Sequence, residues 1–239
     1  MLKQPQAVIL AGGMGTRLQP YTFFVPKPML PLGDKPLLEH LLLWLKKNGV
    51  HDVVLSIGYL GSQIESYFKY GKTMGIKITY ARSNAALGIS GQLLNSKTHV
   101  NSTFYLLYGD SVFDFDLSEM LHRHESTKAT LTMGLMHYSQ KLPYGLIESE
   151  RDGTVTAWKE KPEVGGMINV GCYVANPRIF DYIPKGKMIA FDSVVREMIR
   201  KGEKVSSYVI PGAEFLDIGD EKSYKRVYDL FLERMGKVL

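Results

Sequence analysis

One cysteine, Cys172, in 239 residues excludes a disulfide framework and a cysteine-based zinc site. No apolar run approaches the roughly 18 residues that cross a bilayer, so no membrane partner is expected. The opening Met1-Leu2-Lys3-Gln4-Pro5-Gln6 lacks the apolar stretch of a secretory signal, and a cytoplasmic protein is expected. Dense Lys/Arg runs and basic stripes along a helix are missing too, which argues against nucleic acid as a partner. Low-complexity linkers and internal repeats are absent. With 45% hydrophobic and 22% charged residues, disorder, collagen and coiled coil are excluded. The length suits one large domain or two small ones, with a core that needs no staple.

What basic excess exists is uneven. Residues 1–100 carry 11 Lys and Arg against 4 Asp and Glu, whereas residues 101–239 carry 18 against 20. The first half therefore suits an anionic partner, best a small phosphorylated ligand; a solvated basic surface is the plainer alternative.

Strand-length apolar runs at Ala7–Leu10, Val53–Ile57, Ile76–Tyr80 and Phe104–Tyr108 alternate with segments of helical period. Pro36–Asn48 carries Leu37, Leu38, Leu41, Leu42 and Leu45 on one face. Ser62-Gln63-Ile64-Glu65 fits a capping box for a second helix, and Ser90–Lys97 reads as a third. This alternation predicts an α/β fold, a mixed and mainly parallel Rossmann-like sheet flanked by helices. Further on, strands are expected at Ala129–Met136, Gly145–Glu148, Val155–Lys159 and Met167–Ala175, with a hairpin turn at Arg151-Asp152-Gly153-Thr154. Val205–Ile210 and Phe215–Ile218 read as short strands. Asp192 and Asp220 are placed to cap the last two helices.

The first strand runs into Leu10-Ala11-Gly12-Gly13-Met14-Gly15-Thr16-Arg17-Leu18. Glycines let a backbone approach an anion closely, and an arginine adds a forked phosphate donor. The third glycine of a dinucleotide fingerprint and the Gly-Lys-Ser/Thr of a P-loop are both missing, so spacing alone leaves a tight turn and a phosphate loop open. Pro26-Lys27-Pro28-Met29-Leu30-Pro31 follows, with one cation held between two prolines; in isolation it is equally a rigid surface turn. Asp110 follows the strand Phe104–Tyr108, and Asp217 ends another strand-like run. Two such carboxylates suit Mg²⁺, though each could be a turn or cap residue. Glu160-Lys161-Pro162 could contact a phosphorylated sugar or form an exposed pair. Tyr144 could be a contact or a core aromatic. Cys172, Trp44 and Trp158 are read as packing residues. His122, His124 and His137 have no metal-like partners in the sequence.

Together, the glycine loop, Pro26–Pro31, Gly109-Asp110, Tyr144-Gly145, Glu160-Lys161-Pro162, Ile168-Asn169-Val170-Gly171 and Leu216-Asp217-Ile218-Gly219 resemble the signature of the sugar-1-phosphate nucleotidyltransferases. The resemblance spans nearly the whole chain, with the motifs in family order. It implies the nucleotide-diphospho-sugar transferase fold in one domain, 1–239, with a nucleotide-binding half (1–115) and a sugar-phosphate-binding half (116–239). It implies an NTP and a sugar-1-phosphate as substrates and Mg²⁺ held by Asp110 and Asp217. Arg17, Lys27, Asp110 and Lys161 would be catalytic. Leu10, Ala11, Gly12, Gly13, Gly15, Thr16 and Gly88 would bind the nucleotide, and Tyr144, Gly145, Glu160, Lys161 and Asn169 the sugar phosphate. The resemblance also implies that the segment Ala81–Gln92 reads the base; within it, Leu87-Gly88 and Gly91 resemble the form found in mannose-1-phosphate guanylyltransferases and related heptose enzymes, which favours GTP and mannose-1-phosphate. Glucose-1-phosphate with dTTP or UTP is the alternative, and a non-catalytic nucleotide-sugar-binding subunit a further one. The resemblance also leads us to expect neither a β-helix nor a regulatory C-terminal domain. Whether copies associate into a homo-oligomer is left open.

Overall fold

Apolar residues on every position of a strand require cover on both faces, and the first strand shows it. In a computed structural model of the chain, Ala7 and Ile9 pack to one side of that strand and Val8 and Leu10 to the other, all buried. The structure describes residues 5–83, 88–211 and 216–236, excepting the side chains of residues 216, 217 and 234–236.

The strands are β1 Gln6–Leu10, β2 Pro31–Leu32, β3 Lys35–Pro36, β4 Asp52–Ile57, β5 Lys77–Arg82, β6 Phe104–Tyr108, β7 Ser111–Val112, β8 Leu131–Lys141, β9 Leu146–Ser149, β10 Val155–Lys159, β11 Glu163–Ala175, β12 Val205–Val209 and β13 Leu216–Asp217. The helices are α1 Leu37–Lys47, α2 Gly61–Phe68, α3 Gly88–Asn95, α4 Leu117–Thr127, α5 Phe191–Arg200 and α6 Glu221–Gly236. One seven-stranded sheet runs β12-β8-β11-β6-β1-β4-β5. β11 is antiparallel to both its neighbours, and the other pairings are parallel. This is the mixed, mainly parallel sheet that the alternation predicts. α1, α2 and α4 cover one face, and α3 and α5 the other. A third cluster seats α6, through Val227, on Leu18, Leu30, Leu32 and Leu37, next to the loop after β1.

Two expected caps are corrected. Ser62 lies inside α2 rather than before it. The helix opens at Gly61, whose N–H donates to the Gly58 carbonyl at 3.0 Å. A Cβ at position 61 would stand 3.1 Å from Ile57 Cδ1, so close packing on the end of β4 sets this start. Glu65 pairs with Arg82 instead of completing a capping box. Asp192 lies in the first turn of α5 and pairs with Arg196 at 3.4 Å; Ala190 holds the cap position. There the buried stripe Phe191, Val194, Val195 and Met198 fixes the start. Asp220 does cap α6, its Oδ1 accepting from the Ser223 N–H at 2.8 Å.

The hairpin β9–β10 forms as expected, its turn closed by Asp152 Oδ1 and the Thr154 N–H at 2.9 Å. β8 and β11 extend beyond their apolar cores, to Lys141 and from Glu163. Their outer halves carry no burial pattern; the backbone ladder continues them, joined by one cross-strand bond from Ser139 Oγ to Glu163 Oε1 at 2.6 Å. They and the hairpin form an arm whose residues are mostly exposed.

His124 is buried in α4, its Nδ1 3.0 Å from Thr132 Oγ1. Burial pushes its pKa below the ordinary 6.5. The folded chain then holds this site neutral where the unfolded chain would charge it. The associated stability is present above the unfolded value and is lost as pH falls through the lowered one. Unfolding midpoints measured between about pH 7 and pH 5 should fall more steeply for the wild type than for His124→Gln.

Candidate active site at the ends of β1 and β6

Parallel strands deliver their following loops to one edge, the usual place for ligands in open α/β sheets. Beyond β1, the Ala11 N–H donates to the Ser56 carbonyl at 2.8 Å, and the chain enters the glycine loop. The glycines serve different ends. The Gly12 N–H donates to Gln92 Oε1 at 2.8 Å, and a Cβ there would stand 3.0 Å from the Gly58 nitrogen. Gly12 is thus demanded by the close passage of the loop after β4. Gly15 sits at φ 62°, where L-residues are strained, and its carbonyl accepts from Thr22 Oγ1 at 2.9 Å. A Cβ on Gly13 would meet nothing within 4 Å, and this residue lines the open cleft.

Leu10, Ala11, Gly13, Gly15, Thr16, Arg17, Lys27 and Asp110 line a single cleft. Gly12 stands just behind it. Lys27 sits in a tight turn between Pro26 and Pro28, and its Nζ is hydrogen-bonded and ion-paired to Asp110 Oδ2. The cation and the carboxylate read separately in the sequence thus form one unit. Asp110 is carried past β1 by Gly109, whose N–H donates to the Leu10 carbonyl at 3.0 Å. Asp110 Oδ1 is buried and has no hydrogen-bond partner. Asp217 lies in β13, whose backbone pairs with β7 in the register Asp217↔Ser111, and the Ile218 N–H donates to the Asp110 carbonyl at 3.2 Å. The fold therefore brings the two segments together. Among the described residues, no group of three or more His, Cys, Asp or Glu is placed to hold a metal.

Gly88 opens α3 at φ 63°, next to Ile89 of the cleft wall. Residues 84–87, including Leu87 of the expected base-reading segment, lie outside the described residues, as does Phe215 of the expected strand. Tyr144, Gly145, Glu160 and Lys161 stand on the arm and do not line the cleft. Tyr144 is 76% exposed, which removes the core alternative. Lys161 is held at φ 43°, a conformation that costs free energy and persists where surroundings impose it. Asn169 lies in β11 and donates through Nδ2 to the Tyr173 hydroxyl at 2.6 Å.

Cys172 is fully buried, and burial pushes its thiol pKa up, as suits a packing residue. Trp44 packs against Phe113 and Phe115. Trp158 is not in the core: it is 69% exposed, lies against Gly145 on the arm, and its Nε1–H donates to Glu160 Oε2 at 3.1 Å. Its packing is confined to the arm because β10 pairs with β9 and not with the main sheet. Ile89 and Gln92, within the segment expected to read the base, line the cleft, as does Tyr108, which has no signal in composition or spacing. Gln92 and Ile89 lie on α3, whose approach to the loop only the fold sets.

Residues 6–233 match the nucleotidyl transferase family. The chain belongs to that family. Among curated relatives, it is 35% identical to the D-glycero-alpha-D-manno-heptose 1-phosphate guanylyltransferase of Aneurinibacillus thermoaerophilus, over 92% of this chain and 96% of that one. It is 34% identical to the UTP–glucose-1-phosphate uridylyltransferase of Synechocystis, covering 76% of this chain and 52% of the relative. It is 32% identical to the mannose-1-phosphate guanylyltransferase of Mycobacterium tuberculosis, covering 93% and 63%. The chain thus spans about half to two thirds of the length of the last two. The crystal structure of HddC from Yersinia pseudotuberculosis complexed with GMP-PN superposes with a TM-score of 0.75 at 26% identity, over 95% of this chain and all of that one. The fold is therefore the one this nucleotidyl transferase family uses.

The two neighbouring glycines provide a direct test. Gly13→Ala should leave the thermal unfolding midpoint nearly unchanged, within about 0.5 kcal/mol of stability. Gly12→Ala must displace the Gly58 backbone or Gln92, and should cost on the order of 1–3 kcal/mol. Equal midpoints for the two variants would reject the steric account.

Proposed function

We propose that the chain transfers a nucleotidyl group from an NTP to a sugar-1-phosphate, giving a nucleoside-diphosphate sugar and pyrophosphate, with GTP and mannose-1-phosphate as its pair. The observation that carries this reading is the cleft itself. A glycine loop, an exposed arginine and a Lys27–Asp110 pair converge at the carboxyl ends of neighbouring parallel strands.

In the reaction, an oxygen of the sugar-1-phosphate attacks the α-phosphorus of the NTP. The new P–O bond forms as the bond to the β-phosphate bridging oxygen breaks, and pyrophosphate leaves with that electron pair. The attacking phosphate is already an anion near neutral pH, so positioning and charge neutralisation do the catalysis. The loop from Leu10 to Thr16 cradles the nucleotide, and Gly88 presents backbone to the base. Arg17 and Lys27 neutralise charge on the α-phosphate and the departing pyrophosphate. Glu160, Tyr144, Gly145 and Asn169 bind the sugar, and Lys161 its phosphate. Residues 1–115 then serve the nucleotide and residues 116–239 the sugar phosphate.

Asp110 Oδ1 fits a hard divalent cation: it is a buried carboxylate oxygen with no hydrogen-bond partner, beside the backbone that carries Asp217. Asp110 and Asp217 would hold Mg²⁺, which when bound neutralises phosphate charge and holds the substrates in line. Lys27 fixes the Asp110 carboxylate through its other oxygen.

Two relatives named for guanylyl transfer to manno-configured sugar phosphates support GTP and mannose-1-phosphate. The Synechocystis uridylyltransferase supports the second reading, UTP with glucose-1-phosphate. A binding-only subunit has no need of Arg17, Lys27, Asp110 and Lys161 together, and all four are present.

Pyrophosphate release with Mg²⁺ should be measured for GTP, UTP, dTTP, CTP and ATP against mannose-1-phosphate, the manno-heptose 1-phosphate and glucose-1-phosphate. GTP with mannose-1-phosphate is the cell expected to dominate. Dominance of UTP with glucose-1-phosphate would replace that pair by the second reading. With the best pair, Arg17→Ala and Asp110→Asn should each fold and lose roughly a hundredfold or more in turnover; near-normal turnover would reject their roles.

A further inference from the structure

A buried hydroxyl must find an acceptor for its proton, and a buried tyrosine pair beside the cleft shows where each proton goes. Tyr173 is fully buried in β11. Its oxygen accepts from Asn169 Nδ2 at 2.6 Å, and its O–H donates to the Tyr108 hydroxyl oxygen at 3.1 Å. The Asn169 amide is itself fixed, since its Oδ1 accepts from the Gly171 N–H at 3.3 Å. Tyr108 ends β6, is only partly buried and lines the cleft. Its oxygen is taken as an acceptor, so its own proton is left to donate. Among the described residues no acceptor holds it. The carboxylate two residues on does not: Asp110 Oδ2 is held by Lys27, and Oδ1 has no hydrogen-bond partner.

The backbone opposite makes room for this ring. Gly171 sits at φ 73° within the irregular stretch of the β8–β11 pairing. A Cβ there would stand 2.5 Å from Tyr108 Cδ2.

We propose that Tyr108 contacts substrate, donating its hydroxyl proton to a phosphate oxygen in the cleft, and that Tyr173, held by Asn169, is a positioning residue that aims it. This rests on the nucleotidyl-transfer reading for the identity of the anion. The cleft shared with Arg17 and Lys27 selects a phosphate, and either the nucleotide or the sugar phosphate could present it.

The test is Tyr108→Phe, which keeps the ring against Gly171 and removes only the hydroxyl. Calorimetric titrations of GTP and of mannose-1-phosphate, each with Mg²⁺, are run beside KM and kcat for both substrates. Loss of a hydrogen bond to a charged group should weaken one of the two ligands roughly tenfold to a hundredfold, and the affected ligand names the phosphate. Tyr173→Phe should give a smaller loss for the same ligand and add nothing to Tyr108→Phe; a purely structural Tyr173 would add its own cost. A wild type that binds but does not turn over, with the binding gap intact, sinks the proposed reaction and leaves the Tyr108 contact standing. A folded Tyr108→Phe with unchanged affinity and KM for both ligands overturns the contact. The titrations use the pair with the highest turnover where that pair is not GTP and mannose-1-phosphate, and a wild type that binds no NTP and no sugar-1-phosphate of the grid overturns both.

Discussion

Lys27 and Asp110 lie 83 positions apart, and their ion pair sets the spacing between the loop after β1 and the loop after β6. The lysine side chain is 12% exposed and the carboxylate 26%, so both charges have lost much of their water. Removing either partner would strand the other, which costs far more than losing a surface pair. The turn around Lys27 is stiffened by Pro26 and Pro28, and just beyond it Leu30 and Leu32 are buried beneath α6. Tyr224 of α6 donates to the Pro31 carbonyl at 2.6 Å. The C-terminal helix thus supports a cation near the N-terminus, and the two ends of the chain share one site.

Steric limits do the rest. Loops leaving the adjacent parallel strands β1, β4 and β6 are forced into contact. Gly12 meets Gly58, and a Cβ on Gly58 would lie 2.9 Å from the Gly12 carbonyl oxygen. A Cβ on Gly109 would lie almost as close to the Leu10 carbonyl oxygen, at 3.1 Å. These positions are glycine because two backbones need the same space. The glycines therefore fix how closely these loops pass, and Gly13, by contrast, has open space beside the cleft.

The first half was legible because its strands are buried on both faces and its helices carry regular apolar stripes. Ala7–Leu10 and Leu37–Leu45 could be read with no knowledge of their partners. The caps of α2 and α5 were not legible, because packing of Gly61 on Ile57 and burial of Phe191 overrode the local polar signals of Ser62 and Asp192. The arm was legible only in part. Residues 137–141 continue β8 through backbone pairing with all side chains exposed, which leaves no apolar pattern to read. Trp158 misled for the related reason that a large aromatic usually marks a core. The glycine loop and Asp110 were visible as motifs, whereas Gln92 and Tyr108 enter the cleft through tertiary placement.

The arm raises a physical question that the core answers. A two-stranded hairpin is marginal in water by itself, and β9–β10 pairs only with itself. Its neighbours β8 and β11 are continuous with the main sheet, so the arm's ladder is anchored where Val174 and Ala175 are buried. Anchoring at one end keeps the exposed arm registered to the cleft. The registration runs through side chains as well as backbone. Asn169, at the base of the arm, is bonded to Tyr173, which is bonded to Tyr108 in the cleft wall. A shift of β11 by even one residue would turn Asn169 and Tyr173 to the opposite face and break both bonds. Gly171, at φ 73°, lies between Asn169 and Tyr173, where the pairing of β11 with β8 changes register. One glycine thus both admits the Tyr108 ring and sets the phase of the arm relative to the cleft.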